Sequence, residues 1–417
     1  VQLQVTPADA LYDEPVEIRL TGFPPQREVS VTALAKDGQG RRWSSEATLV
    51  TDSGGELDLA WQAPRSGSYR CADSNGLLWS LRLDSSVLRR GPFLVMNPTE
   101  VTIHLAANID GAPVARATLR RRFMNDDVER GKIREDGVVA TFFRPPGSLR
   151  PGVIVLGGSG GGLAEDQPAL LASHGYAVLS LGYFLMPGLP QDLIEIPLEY
   201  FERAIRWMKN HPAVDAERIA VCGASRGGEL ALLLGATFPD IKAVIGYVPS
   251  GVVWPGIGAT PSLPKSAWTW RKQPVEFMAT PRPDPEVWSK PPVAITPWFL
   301  KSIANQDSVR RSAIAVEKIN GPVLMFSGTD DQMWPSLNLA DLAVQRMSEH
   351  GFTHPYEHVS YAGAGHFIRY PYAPTISEIY HPITKQMMAL GGTSEANHIA
   401  NLDSWHRMLS FLNKFLG

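Results

Sequence analysis

A serine hydroxyl is a weak nucleophile. It attacks a carbonyl only when a neighbouring base takes its proton and a third group holds that base in the right tautomer. Two stretches of the chain could present such a serine on a sharp strand-to-helix turn of the form G-x-S-x-G, where the glycines permit the bend: Gly157-Gly158-Ser159-Gly160-Gly161 and Gly223-Ala224-Ser225-Arg226-Gly227. Both follow an apolar run and precede a segment that reads as helix, so the motif alone does not choose between them. Stiffness and position do. Ser159 is followed by three glycines, residues 160–162, a run too flexible to fix a strained nucleophile. It also ends the first strongly apolar run, where the N–H groups of Gly158, Ser159 and Gly160 could face a developing oxyanion. Ser225 lies between the apolar run 218–222 and the helix-like stretch 228–234, and a helix N-terminus beneath it favours negative charge on a reacting carbonyl oxygen. Ser225 is therefore read as the nucleophile, with the Arg226 N–H and the 158–160 loop as oxyanion donors.

The acid and base should follow in the order Asp, then His. After the apolar run ending at Phe326 come two adjacent aspartates, Asp330 and Asp331, of which only one can be aimed at a histidine. The spacing Gly-x-x-Asp with a proline four residues later, here Gly328 and Pro335, selects Asp331 and leaves Asp330 to cap the loop or the next helix. One strand-sized interval on, the small-residue loop Gly363-Ala364-Gly365-His366 presents a single histidine. His350, His354 and His358 lack that setting, and no metal site or cofactor is expected.

These residues need a scaffold. From residue 119 to 417 the chain alternates helix-like stretches with continuous apolar runs: 153–156, 177–179, 219–221, 243–245 and 323–326. Such runs read as strands of a mostly parallel, doubly wound sheet covered on both faces. Covering helices are expected from Leu198 to about 209 and at the C-terminus, where Trp405, Leu409, Leu412 and Leu416 recur at helical spacing. Residues 1–118 read differently, as alternating runs (16–20, 29–33, 101–105) between turn clusters, the pattern of a β-sandwich. Residues 251–300 break the rhythm with ten prolines and five of the chain's eleven tryptophans. Disordered segments are poor in aromatics. The stretch is read as a lid whose Trp254, Trp268, Trp270, Trp288 and Trp298 line an apolar site for a lipidic acyl chain.

A net charge of −3 and a pI near 6.4 offer no global basic field for nucleic acid. No run of eighteen apolar residues suggests a transmembrane segment. Cys71 and Cys222 are the only cysteines; Cys222 closes an apolar run and reads as a small buried hydrophobe. A cytoplasmic location is expected; because a start at Val1 rather than Met suggests a trimmed N-terminus, a periplasmic or secreted one stays open. Oligomeric state is not legible.

Several segments make a family resemblance. They are Tyr12-Asp13-Glu14-Pro15-Val16, Gly55-Glu56-Leu57-Asp58-Leu59 and Gly76-Leu77-Leu78-Trp79 in the first half. In the second half they are Gly160-Gly161-Gly162-Leu163, Leu198-Glu199-Tyr200-Phe201, Gly227-Gly228-Glu229-Leu230, Asp330-Asp331, Gly365-His366 and Asp403-Ser404-Trp405. With them the chain resembles the acyl-CoA thioesterase and bile acid-CoA:amino acid N-acyltransferase family of α/β-hydrolases over nearly its whole length. The resemblance implies a triad of Ser or Cys, Asp and His, which falls on Ser225, Asp331 and His366. It also implies cleavage of a long-chain acyl-CoA to fatty acid and CoA through an acyl-enzyme. The N-acyltransferase members use Cys, and an oxygen ester exposed to water suits hydrolysis better than transfer. The 251–300 segment departs from the family, with Lys265, Arg271, Lys272, Arg282 and Lys290 as its candidate cations for CoA phosphates. An amidase or esterase acting on long-chain N-acyl amines or lipid esters is the alternative, and an N-acyltransferase the second.

Overall fold

The five apolar runs of the second half form the middle of a single eight-stranded sheet. The computed structural model describes residues 1–417 apart from 88–89, 96–97, 99, 148, 260–262 and 283–284. We label the strands of this sheet β1 (Glu129–Glu135), β2 (Val138–Arg144), β3 (Arg150–Leu156), β4 (Ala177–Gly182), β5 (Val214–Ala224), β6 (Ile241–Tyr247), β7 (Val323–Gly328) and β8 (Tyr356–Tyr361). Their order is β1-β2-β4-β3-β5-β6-β7-β8. β3 to β8 run parallel, while β2 is antiparallel to both β1 and β4. Every residue of β4, β6 and β7 except Lys242 is buried, as expected of strands covered on both faces. β1, with the sequence ERGKIRE, is mostly exposed; it carries the charges of a protected sheet edge, and for that reason shows no apolar run.

Five helices cover the sheet: α1 (Asp166–Ser173), α2 (Leu198–Asn210), α3 (Arg226–Thr237), α4 (Ser336–Glu349) and α5 (Ser394–Leu416). α1 and α5 pack one face, where Leu170, Trp405, Met408 and Leu412 join Val153, Cys222 and Ile245 in one apolar cluster. α2, α3 and α4 pack the other against Ile154, Leu179, Val221 and Val244. The topology with its strand–serine–helix elbow is that of an α/β-hydrolase. Among the described residues no helix is long and apolar enough to cross a membrane.

The N-terminal region is a pair of sheets. One holds Gln2–Thr6, Glu17–Thr21 and Leu57–Asp58. The larger runs in the order Asp9–Leu11, Ala112–Arg122, Val101–Ile109, Glu28–Lys36, Arg42–Val50 and Ser66–Gly67. Burial alternates along Glu28–Lys36 and Arg42–Val50, the signature of strands with one face on a core. The strand Ala112–Arg122 carries this region past residue 118. Its last three residues pair with Asp9–Leu11, and the ion pairs of Arg120 and Arg122 with Asp9 take the place of an apolar signal.

Motif residues of the first half meet the second half. Asp13 Oδ2 accepts hydrogen bonds from the Trp405 indole (2.9 Å) and from His174 Nε2 (2.5 Å). Tyr12 stacks on Phe123 and meets Tyr370 edge-on, and Trp79 stacks on His398. The sandwich therefore docks on α1, α5 and the 366–372 loop through buried aromatic contacts, with a single apolar cluster running through both regions.

Candidate active site

Ser225 is the one residue between the end of β5 and the start of α3, with φ 58° and ψ −121°. A non-glycine residue held there stores about 1–3 kcal/mol of backbone strain, sustained by its surroundings. The two motif glycines allow the approach. A Cβ on Gly223 would stand 2.0 Å from Gly227 O, and one on Gly227 2.4 Å from Gly157 O and 2.6 Å from Leu156 O. The elbow and the end of β3 are in backbone-to-backbone contact that admits no side chain at either place.

His366 Nε2 lies 2.9 Å from Ser225 Oγ, and His366 Nδ1 lies 2.8 Å from Asp331 Oδ2. Asp331 and His366 are both buried. Because an ionised carboxylate only accepts, Nδ1 carries the proton and donates it to Asp331, leaving the Nε2 lone pair for the serine hydroxyl. The carboxylate is itself held: Asp331 Oδ1 accepts from the N–H groups of Met333 (3.0 Å) and Trp334 (3.1 Å). The Trp334 ring meets His366 edge-on, and its indole N–H donates to Val248 O. The His366 loop is pinned by its own N–H on Leu390 O and by the Gly365 N–H on the Asn397 side chain. Asp330 faces away, accepting from the Gly392 N–H (2.9 Å) and the Gln332 amide (3.1 Å), and so caps the loop. The three residues thus form a continuous relay able to deprotonate the serine and return the proton to a leaving group.

The 157–161 turn lies directly against Ser225: a Cβ on Gly158 would be 3.2 Å from Ser225 Cβ. Arg226 is the first residue of α3, so its N–H is at the helix N-terminus. Ser159 pairs with a different histidine: its Oγ is 3.0 Å from His381 Nε2. Since His381 Nδ1 accepts from the N–H groups of Ile383 and Thr384, its proton sits on Nε2 and is donated to Ser159. Burial, assisted by Lys385, pushes the His381 imidazole down to about 4, so it is neutral across the physiological range. The residue belongs to no motif, and sequence reasoning passed over it for that reason.

The side chain of Arg226 is buried. It donates to Trp254 O (3.0 Å) and pairs with Glu229 (3.0 Å), whose other oxygen accepts from the Trp268 indole (2.8 Å). Burial pushes the Glu229 carboxyl up to about 7. This network fastens the first turn of α3 to the 251–270 segment.

Two cavities open on Ser225. One, of 540 Å³, is walled by Trp254, Trp288, Trp298, Phe299 and Trp334. The structure thus brings three of the five tryptophans expected there to its wall. Trp268 is a correction: it is fully buried in the core, against Tyr183 and Phe201, with its N–H on Glu229. Trp270 is a second correction: it is partly buried, meets Phe238 edge-on and carries the Arg271 guanidinium over its ring. Both sit on or beside the short strands Trp268–Trp270 and Gln273–Pro274, which extend a small sheet with Ile196–Pro197. Of the five candidate cations, Lys265 and Arg282 reach this cavity. Lys265 is paired with Glu195 and Lys290 with Glu286, and Lys272 is exposed in the turn after Trp270. The second cavity, of 620 Å³, runs from His366 and the 157–161 turn along the sheet to β1.

Comparison with known proteins accords with this geometry. Residues 196–417 match the family described as BAAT / Acyl-CoA thioester hydrolase C terminal, and residues 13–135 match the Acyl-CoA thioester hydrolase/BAAT N-terminal region. The chain is 32% identical to mouse acyl-coenzyme A thioesterase 6 over 99% of its own length and 96% of that protein's. It is 31% identical to mouse peroxisomal succinyl-coenzyme A thioesterase (97% and 94%) and 31% identical to mouse acyl-coenzyme A amino acid N-acyltransferase 1 (100% and 98%).

Proposed function

Because the chain belongs to the acyl-CoA thioester hydrolase/BAAT family of α/β-hydrolases, we propose that it hydrolyses long-chain acyl-CoA thioesters to fatty acid and CoA, with Ser225 as nucleophile, His366 as base and Asp331 as the group that orients it. The observation that carries this reading is the unbroken Asp331–His366–Ser225 relay, at 2.8 and 2.9 Å, on a serine rather than a cysteine. Ser225 Oγ adds to the thioester carbonyl as its proton passes to His366 Nε2. The oxyanion is met by the Arg226 N–H and the 158–160 turn. Collapse breaks the C–S bond, and His366 returns the proton to the departing sulfur, leaving the acyl group on Ser225. Water, deprotonated by His366, then adds to the ester carbonyl; collapse breaks the bond to Ser225 Oγ, which takes the proton back from His366 as the acid leaves. A thiol leaves more readily than an amine, which favours a thioester over an amide as substrate; an acyl group held as an oxygen ester is open to water, which favours hydrolysis over transfer. Names of relatives such as acyl-coenzyme A thioesterase 6 and peroxisomal succinyl-coenzyme A thioesterase support the thioester.

The test sets palmitoyl-CoA against N-palmitoyl amines of the same chain length, each with and without glycine as acceptor. Free fatty acid and CoA released in equal amounts from palmitoyl-CoA, at a rate indifferent to glycine, is the expected result. Faster cleavage of the N-palmitoyl amine would make the enzyme an amidase, and palmitoylglycine as the main product would make it a transferase.

A further inference from the structure

Ser225 stands where the two cavities meet, and their walls differ in the residue that matters most to a leaving group. His366 lines the cavity that runs along the sheet and is absent from the wall of the tryptophan cavity. A thiolate expelled from the acyl carbon as the tetrahedral adduct on Ser225 collapses must be within reach of the His366 Nε2 proton, so it departs on the His366 side. The acyl chain then has the other cavity, whose wall is predominantly aromatic and aliphatic.

The His366 cavity has a charge pattern to match. Lys132 of β1, Thr141 of β2, Ser180 of β4 and Val155 of β3 form one cross-strand row on the same sheet face. Arg130, Lys132 and Arg134 alternate along β1 and share that face. Four strand spacings of about 4.8 Å place β1 roughly 19 Å from β5, the strand that ends at Ser225, a distance that extended pantetheine with its diphosphate covers. The cations of this wall, with Arg369, face two carboxylates, Glu165 and Asp166, each engaged by an arginine (Arg130 and Arg369). Arg134 donates to the main-chain carbonyls of Ile133 and Ala140 and pairs with no carboxylate among the described residues, and Lys132 is exposed. Pro92, Leu94 and Val95 also line it, so the N-terminal region, in the stretch before its strand Val101–Ile109, contributes to the same wall.

We infer that the phosphorylated end of the CoA leaving group runs from Ser225 along the sheet to Lys132 and Arg134 of the edge strand, while the acyl chain occupies the tryptophan cavity. This assignment rests on the thioesterase reading above and reverses the expectation that cations of the 251–300 segment hold the phosphates.

The probe is desulfo-coenzyme A, which lacks the thiol and cannot accept an acyl group, used as an inhibitor of the cleavage of a neutral thioester, decanoyl N-acetylcysteamine. The full-length double variant Lys132→Glu/Arg134→Glu, on an exposed edge, is compared with wild type and with Lys265→Glu/Arg282→Glu. Melting curves verify that each is folded. The Ki of desulfo-coenzyme A should rise at least about tenfold in the β1 variant, since attraction to phosphate becomes repulsion, and the gap should narrow in high salt. An unchanged Ki in the β1 variant, or a rise in the Lys265/Arg282 variant alone, overturns the assignment. So does a rise in both that persists in high salt. Wild-type hydrolysis of palmitoyl-CoA is measured separately. If it proceeds while Ki is unmoved, the path falls and the activity stands; if it fails while Ki shifts as expected, the site stands and the reaction needs another name.

Discussion

Replacing Asp331 by Asn keeps size and shape while changing what the side chain can do for His366. In the native site Oδ1 accepts two backbone N–H groups, from Met333 and Trp334, and Oδ2 accepts the Nδ1 proton. An asparagine keeps only one acceptor, and the two N–H groups claim it. Its NH₂ is then turned toward Nδ1 and donates to it, so the imidazole proton moves to Nε2 and faces the Ser225 hydroxyl. The serine loses its base while every heavy atom stays in place. In serine hydrolases this tautomer error costs about 10⁴ in kcat, roughly 5 kcal/mol of transition-state stabilisation. Asp330→Asn alters a loop cap bonded to the Gly392 N–H and the Gln332 amide. It should cost about 1 kcal/mol of stability and less than about threefold in kcat. Steady-state release of CoA from palmitoyl-CoA, with melting temperatures alongside, measures both. Equal losses in the two variants, or a greater loss at Asp330, would mean that Asp331 does not orient the base.

Three further outcomes follow from the walls of the site. Each buried methylene gains about 0.8 kcal/mol; after chain ordering and incomplete burial, lengthening the acyl chain from eight to sixteen carbons should raise kcat/KM about ten- to a thousand-fold. That gain should shrink in Trp298→Ala, whereas Trp268→Ala, deep in the core, should instead lower stability by about 3–5 kcal/mol; a flat chain-length profile in wild type would remove the tryptophan cavity as an acyl site. His381, whose folded value of about 4 is held down by burial from an ordinary value near 6.5, stabilises the fold fully above pH 6.5 and loses that contribution as pH falls toward 4. Denaturant titrations should show about 3 kcal/mol of acid sensitivity that His381→Asn lacks, and an unchanged pH slope in the variant would contradict the assignment. Gly227→Ala puts a Cβ 2.4 Å from Gly157 O; it should displace the elbow from the 157–161 turn and lower kcat by at least about 100-fold, and a fully active variant would show that this contact does not set the geometry.

The parts of this structure that were legible in the sequence are those where one physical demand dominates. Strands buried on both faces must be apolar throughout, so β3 to β7 stood out. The elbow needs glycine on both sides of its serine. Ser225 could be told from Ser159 because glycine runs do not hold strain, and the structure places Ser159 against His381 instead. β1 and β2 were missed for opposite reasons. The edge position of β1 favours charge, and its cations now define the wall of a cavity. β2 is buried, but its run is broken by Thr141 and ends in Arg144, and its antiparallel pairing leaves no mark on composition. The tryptophans show the limit most clearly. Density of aromatics in 251–300 announces a large apolar surface, but whether a given ring faces the cavity or the core depends on partners distant in sequence. Glu229 claims the indole of Trp268 from α3, and Phe238 takes the face of Trp270. The docking of the two halves through Asp13, His174 and Trp405 is equally invisible to local pattern.

The central claim is that Ser225 carries the acyl group, and the most direct measurement is its capture. Enzyme mixed with excess palmitoyl-CoA, quenched in acid within milliseconds and digested, should yield the Ser225 peptide heavier by one palmitoyl group. A fluorophosphonate probe should label the same residue and be blocked by palmitoyl-CoA. The adduct should be absent in Ser225→Ala, with the melting temperature preserved. An acyl group found on Ser159 or on a cysteine, or CoA released at the wild-type rate by Ser225→Ala, would contradict the account.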